Sequence, residues 1–258
     1  MRYCISATNA LLSLTPSPHD PIPRTDRENQ GVTKISEYLE KNDLSRWLID
    51  NEQGRIDLKI LPYLKDIENG VFVEAGALDG LFMSNTKLLE DLGWSGLLIE
   101  PSYEACKKCL ENRKCTTVWG ALVSNNYKEE KIYGDFYYDG EEGKGAWSSV
   151  NRNRSSSKEF TYVPAMTLSN VLRAFDINKV DLLSLDVEGY ELNVLKGLDF
   201  NEFDVKYILV EVNTMDYDLE DMDELLGGYK NLGCLSNFSK ETNEGWDGTH
   251  SDYLYEKS

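Results

Sequence analysis

Acids flank a glycine turn in Val71-Phe-Val-Glu-Ala-Gly-Ala-Leu-Asp-Gly80, and a further acid ends Gly96-Leu-Leu-Ile-Glu100, 20 residues after Gly80. Glycines in such a turn let a ligand approach the backbone. An acid at the tip of the following strand accepts from ribose hydroxyls. The spacing Glu74-x-Gly76-x-x-x-Gly80 is not the dinucleotide one, and no Gly-x-Gly-x-x-Gly occurs in the chain. Glu74 and Asp79 beside the turn repel a pyrophosphate and suit a ligand with a positive centre and an ammonium group. S-adenosylmethionine has that make-up and NAD does not, which sets a nucleotide-linked oxidoreductase aside.

A second acidic stretch is Asp181-Leu-Leu-Ser-Leu-Asp-Val-Glu-Gly-Tyr-Glu191. A buried strand runs into acids and a glycine at its carboxyl end, where open α/β sheets bind ligands. Glu74, Glu100, Asp186 and Glu211 are then expected along one edge. Helix capping is the competing reading for Asp186, Glu188 and Glu191, and N-capping for Ser84 and Asn85.

Composition narrows the partners. The 258 residues carry 45 acids against 27 bases, a net charge of -18. Affinity for nucleic acid comes from Lys and Arg at phosphates, so no nucleic acid is expected as partner. No apolar run reaches the ~18 residues that span a bilayer. The apolar region of the first 14 residues is broken by Ser, Thr and Asn, unlike a signal peptide. Five cysteines (Cys4, Cys106, Cys109, Cys115, Cys234) are an odd number. They predict free thiols and a reducing, cytoplasmic setting. Cys106-Lys-Lys-Cys109 has no second pair at zinc spacing. Asn153-Arg-Ser and Asn237-Phe-Ser read as surface loops.

The elements that position these residues follow from periodicity and punctuation. Pro16, Pro18, Pro21 and Pro23 mark residues 1–30 as a flexible lead-in. Residues 31–69 read as a helical cap: Gly31–Lys41, Leu44–Asn51 and Ile56–Lys65. From residue 70 to 258 strands and helices alternate, which predicts a mostly parallel sheet. The strands are Val71–Ala75, Gly96–Glu100, Thr116–Ala121, Val180–Asp186 and Lys206–Val212, with Gly228–Leu235 and Ser251–Glu256 as a closing antiparallel pair. The helices are Asn85–Leu92, Tyr103–Asn112, Leu168–Phe175 and Leu192–Leu195. An insertion over 125–164 holds an extra strand near Ile132–Tyr138 and a glycine-rich loop through Trp147. It is expected on the acceptor side, with Tyr137, Tyr138 and Trp147 stacking on a sugar and Arg152 and Arg154 meeting acidic groups. Packing of these aromatics onto the sheet is the alternative.

Three blocks resemble the FkbM-type methyltransferases. They are Phe72 to Gly80 with Ser84-Asn-Thr-Lys-Leu-Leu-Glu90, then Gly93-Trp-Ser-Gly-Leu-Leu-Ile-Glu-Pro101, then Leu183 to Gly197 with Ile208-Leu-Val-Glu-Val-Asn213. The resemblance covers about residues 70 to 258. It implies a Rossmann-like class I methyltransferase fold with a seven-stranded sheet, and S-adenosylmethionine as methyl donor. It also implies O-methylation of a hydroxyl, often on a saccharide or glycosylated small molecule. Carried over, it puts Glu74, Gly76 and Gly80 around the methionine part, with Ala77, Asp79 and Pro101 also at the cofactor. Ser84 and Asn85 would meet its carboxylate, Glu100 the ribose, and Ala121 and its neighbours the adenine. Asp186 would stand nearest the methyl group.

The reaction needs a base for the acceptor hydroxyl. Of two histidines, His19 sits in the lead-in, and His250 precedes the last strand and is the histidine candidate. Asp186, Glu188 and Glu211 are the carboxylate candidates. A divalent metal on Asp186, Glu188 and Glu211 would lower the hydroxyl pKa instead. A non-catalytic adaptor with the same fold, or an N-methyltransferase, are the competing functions.

Overall fold

The computed structural model describes residues 5–6, 34–35, 55–138, 160–236 and 249–258. Its strands are β1 (Ile5–Ser6), β2 (Val71–Ala75), β3 (Ser95–Glu100), β4 (Thr116–Trp119), β5 (Ala121–Leu122) and β6 (Lys131–Asp135). They continue with β7 (Phe160–Met166), β8 (Lys179–Leu185), β9 (Asp204–Asn213), β10 (Tyr229–Cys234) and β11 (His250–Lys257). The helices are α1 (Ile56–Lys59), α2 (Leu61–Leu64), α3 (Lys87–Asp91), α4 (Tyr103–Asn112), α5 (Leu168–Ala174), α6 (Glu191–Leu195) and α7 (Leu219–Leu225).

The central strands are apolar on both sides because helices cover both sides. On one face Val73, Leu97, Leu183 and Val210 pack with Leu172 of α5, Leu195 of α6 and Met222 of α7. On the other, Phe72, Leu98, Leu182 and Leu209 pack with Leu58 of α1, Leu61 of α2 and Leu89 of α3. Each such side chain contributes on the order of 1.5–3 kcal/mol by leaving water. Side chains alternate along a strand, so this partition assigns every residue of β2, β8 and β9 to a face.

The sheet order is β1-β4-β3-β2-β8-β9-β11-β10. β4, β3, β2, β8 and β9 run parallel, and β11 is antiparallel to both β9 and β10. The chain winds outward from β2 through β3 to β4. It then returns to β2's other side with β8, so the strand order reverses between β2 and β8. This is the class I methyltransferase arrangement, with an added strand: Ile5–Ser6 pairs parallel with β4 at Val118 and Trp119. Residues 1–30 are therefore not wholly a loose lead-in. The cap helices expected over Gly31–Lys41 and Leu44–Asn51 lie, apart from residues 34–35, outside the described residues. The third, expected as one, is divided into α1 and α2, with Pro62 in the first turn of α2.

The insertion contributes a small separate sheet, order β5-β7-β6. β7 was not expected, because Pro164 lacks a backbone donor. The strand tolerates it because pairing with β5 begins only at Ala165. The glycine-rich loop, Trp147, Arg152, Arg154 and the sequences Asn153-Arg-Ser and Asn237-Phe-Ser lie outside the described residues.

Cys106, on the buried side of α4, is disulfide-bonded, whereas Cys109, Cys115 and Cys234 are free. The fifth cysteine, Cys4, lies outside the described residues. An odd count forbids only complete pairing, which is why free thiols at all five did not follow from it.

Candidate active site

A cavity of about 160 Å³ opens at the carboxyl ends of β2, β3 and β8. Of the residues singled out from sequence, it is lined by Glu74, Gly76, Ala77, Ser84, Asn85, Glu100, Pro101, Ala121, Asp186 and Glu188. Asp79, Gly80, His250 and Glu211 are not among its lining.

Gly76 joins the two halves of the site. Its φ is +81°, and a Cβ there would stand 1.7 Å from the Asp186 carbonyl oxygen. The Asp186 N–H donates to Ala75 O at 3.1 Å, so backbone contacts lock the turn after β2 to the acid after β8. Only glycine permits that approach.

Glu100 reaches back into the turn. Its Oε2 accepts from the Leu78 N–H at 2.8 Å and its Oε1 from the Ser102 N–H at 2.7 Å. A carboxylate has about four lone-pair sites. One on each oxygen therefore remains, the number a ribose diol uses. Burial pushes the Glu100 carboxyl up to about 8 against the lowering effect of those two N–H groups.

Glu74 is differently used. Its carboxylate accepts from the Ser84 hydroxyl at 2.9 Å, the Asn85 N–H at 2.9 Å and the Thr86 hydroxyl at 2.6 Å. Arg113 lies beneath, fully buried. It donates to Glu90 (3.1 Å), Gly80 O (3.0 Å), Ser84 Oγ (3.0 Å) and Thr86 Oγ1 (3.0 Å). The Ser84 hydroxyl hydrogen and the Asn85 N–H are thus committed to Glu74. Both residues line the cavity, and the Asn85 amide, whose Nδ2 donates to Ser184 Oγ at 3.2 Å, is the group there not bonded to Glu74. Asp79 lies outside the lining. Its Oδ1 accepts from the Leu81 and Phe82 N–H groups, both at 2.8 Å, which makes it the cap of that turn. Gly80 sits over Arg113, outside the cavity wall.

The acids after β8 form a braced loop. Glu188 has φ +57°, a left-handed conformation rare outside glycine. Glu191, fully buried, holds it by accepting from the Val187 N–H (2.9 Å) and the Gly189 N–H (3.1 Å). The Tyr217 hydroxyl lies 2.9 Å from Glu191 Oε2 and 2.7 Å from the Glu211 carbonyl oxygen. Burial raises Glu191 to about 7. A strained residue at a cavity wall, held by its surroundings, is where function is expected.

Glu211 lies one strand further out, opposite Asp252 of β11, and His250 lies opposite Asn213. Burial first, then Asp186 and Glu188, push the Glu211 carboxyl well above its ordinary range. Among the described residues, no three or more His, Cys, Asp or Glu side chains gather as a metal site. Asp186, Glu188 and Glu211 therefore do not fit the divalent metal weighed above.

The sequence did not point to Phe82, Met83, Phe136, Ser184 or Tyr190 as lining residues. Ser184 was readable by alternation from Leu182 on β8, and Tyr190 sits inside the acidic motif. Phe136 lines the cavity, and neither Tyr137 nor Tyr138 does. Tyr138 instead packs with Leu78 and Ala105. Arg113 has no sequence signal, since its partners come from four separate segments.

The Methyltransferase FkbM domain profile matches residues 74–234, more than half of the chain. No curated protein matches it. Among solved structures, the chain is similar to a TehB-like SAM-dependent methyltransferase from Corynebacterium glutamicum, at 12% identity and a TM-score of 0.41, covering 87% of this chain and 98% of that one. A SAM-dependent methyltransferase from Clostridium acetobutylicum gives 9% identity and a TM-score of 0.43 over the same shares, 87% and 98%. The plantazolicin methyltransferase in complex with SAH gives 13% and 0.37, over 87% and 89%.

Proposed function

The chain belongs to the FkbM methyltransferase family, and from that premise we propose that it methylates a hydroxyl of a saccharide or glycosylated small molecule, with S-adenosylmethionine as donor. The observation that carries this reading is the convergence of Gly76, Glu100 and Asp186 on one cavity at the reversal of strand order. The cofactor supplies a methyl on a sulfonium: the carbon–sulfur bond breaks as the oxygen–carbon bond forms, releasing S-adenosylhomocysteine and the hydroxyl proton.

The chain's residues divide the remaining work. Glu100 accepts from the ribose through its two unused lone-pair positions. Pro101 and Ala121 flank the nucleoside. The Asn85 amide faces the methionine end, with the turn around it held by Glu74 and Arg113. Asp186, fixed by its backbone to Ala75, takes the acceptor's proton, and Glu188 helps orient the acceptor. Alignment of oxygen, carbon and sulfur is the larger part of the catalysis, because a held geometry replaces a bimolecular encounter.

Transfer of labelled methyl from S-adenosylmethionine to a panel of glycans and glycosylated small molecules tests this. Asp186→Asn should abolish transfer at near-wild-type cofactor affinity. Transfer that survives the substitution assigns Asp186 a structural role only.

A further inference from the structure

We propose that Glu211 and Asn213 of β9 form the subsite that grips the acceptor, and that it takes a neutral hydroxyl-bearing group. This rests on the methyl-transfer reading above and adds the chemistry of the second substrate.

Alternation along β9 sends Tyr207 and Leu209 to the face packed by α1, α2 and α3, and Ile208 and Val210 to the other. Glu211 and Asn213 continue the first row. They come at the carboxyl end, where the row leaves the apolar cluster. Glu211 is 8% exposed and Asn213 0% exposed. Yet Glu211 Oε2 and Asn213 Nδ2 have no hydrogen-bond partner. The Asn213 Oδ1 is already taken by the Met215 N–H at 3.1 Å, which fixes Nδ2 as the free end. Buried polar groups are nearly always paired, and an orphan needs an explanation.

Two orphans lie two residues apart on one strand face. The other two among the described residues, Thr117 Oγ1 on β4 and Asp181 Oδ1 at the start of β8, lie singly, and Asp181 Oδ1 is 2.7 Å from Lys179 Nζ. β9 pairs parallel with β8, Leu185 opposite Val210, so this end of the row runs beside the strand end that leads into Asp186 and Glu188, although neither Glu211 nor Asn213 lines the cavity itself.

The pair is complementary. Nδ2 only donates, and Oε2 of a carboxylate accepts. A hydroxyl both accepts and donates, so one hydroxyl, or two on neighbouring carbons, satisfies both atoms. An ammonium group would answer Glu211 and leave Nδ2 unpaired. A carboxylate or phosphate would answer Nδ2 but add a further negative charge where Asp186, Glu188 and Glu191 already crowd Glu211.

Saturation-transfer NMR on the full chain with S-adenosylhomocysteine tests the assignment. The probes are methyl glucoside, methyl galactoside and methyl mannoside, each against its amino-sugar and uronic-acid counterpart. At least one neutral glycoside is expected to bind about tenfold better than its charged counterparts. Asn213→Leu and Glu211→Leu are each expected to reduce that binding about tenfold, with cofactor affinity unchanged. Because an orphaned polar atom weakens the free fold, Glu211→Leu is expected to unfold at or above the wild-type temperature, whereas Asn213→Leu also gives up the bond from the Met215 N–H and is expected to unfold below it. Absence of binding by every neutral glycoside, binding that both variants retain, or no preference for the neutral form overturns the subsite. Failure of the wild type to bind S-adenosylhomocysteine instead overturns the methyl-transfer reading beneath it.

Discussion

Arg113 is fully buried, and the turn after β2 hangs from it. Its guanidinium faces Glu90, Gly80, Ser84 and Thr86, and it neighbours Glu74 at 3.4 Å. Removing one partner from a buried ion network leaves uncompensated charge. Arg113→Met should therefore destabilise the fold by about 3–5 kcal/mol in denaturant unfolding; a loss below about 1 kcal/mol would mean the acids find other partners. Glu74 explains why residue identity is easier to read than residue role. The acid after β2 stands where the pattern puts it. Whether it faces ligand or scaffold depends on Arg113, 39 residues away, which no local spacing reveals. Glu100 stands where the pattern puts it, because it ends its strand, and its partners, Leu78 and Ser102, lie in adjoining turns.

At the scale of elements, the loop 186–190 is the part that must hold still. Glu191 braces it from α6, and Tyr217 braces Glu191. Tyr217→Phe removes one hydroxyl from a fully packed site. It should leave cofactor affinity within about twofold and lower kcat about tenfold, since small misplacements of reacting groups are costly. An unchanged kcat would show that the loop needs no such brace. The seven strands and α4 were legible because their burial follows clean periods. α7 was not: Leu-Glu-Asp-Met-Asp-Glu-Leu buries only Met222, and its start is marked by an Asp218–Asp221 capping box in an already acidic run. The small sheet of the insertion was half legible, with β6 read from its alternation and β7 hidden by Pro164. The disulfide at Cys106 was not legible at all, because pairing depends on which strands and helices meet.

At the scale of the molecule, charge and buried acids set the response to pH. Glu100, Glu191 and Asp252 rise from 4.5, 4.5 and 3.8 to about 8, about 7 and about 7, mainly through burial. The folded chain thus binds these protons more tightly than the unfolded one. Their stabilisation is complete below pH 4 and is lost as pH rises through 7 and 8. The net charge of -18 adds self-repulsion in the same direction. The thermal midpoint of the free protein should therefore fall steadily from about pH 5.5 to about pH 9, and a midpoint that rises across this range would contradict the burial of these acids. Where a bound ligand supplies donors to Glu100 and Glu211, that decline should flatten.

On the function proposed above, the site at the β2–β8 reversal takes the methyl donor, and calorimetric titration with S-adenosylmethionine reads this directly. One saturable site per chain is expected, with a dissociation constant between about 1 μM and 1 mM. Glu100→Ala should weaken it several-fold or more through loss of the charged ribose contact. A wild-type chain that takes up no S-adenosylmethionine would contradict the assignment of this cavity as the donor site.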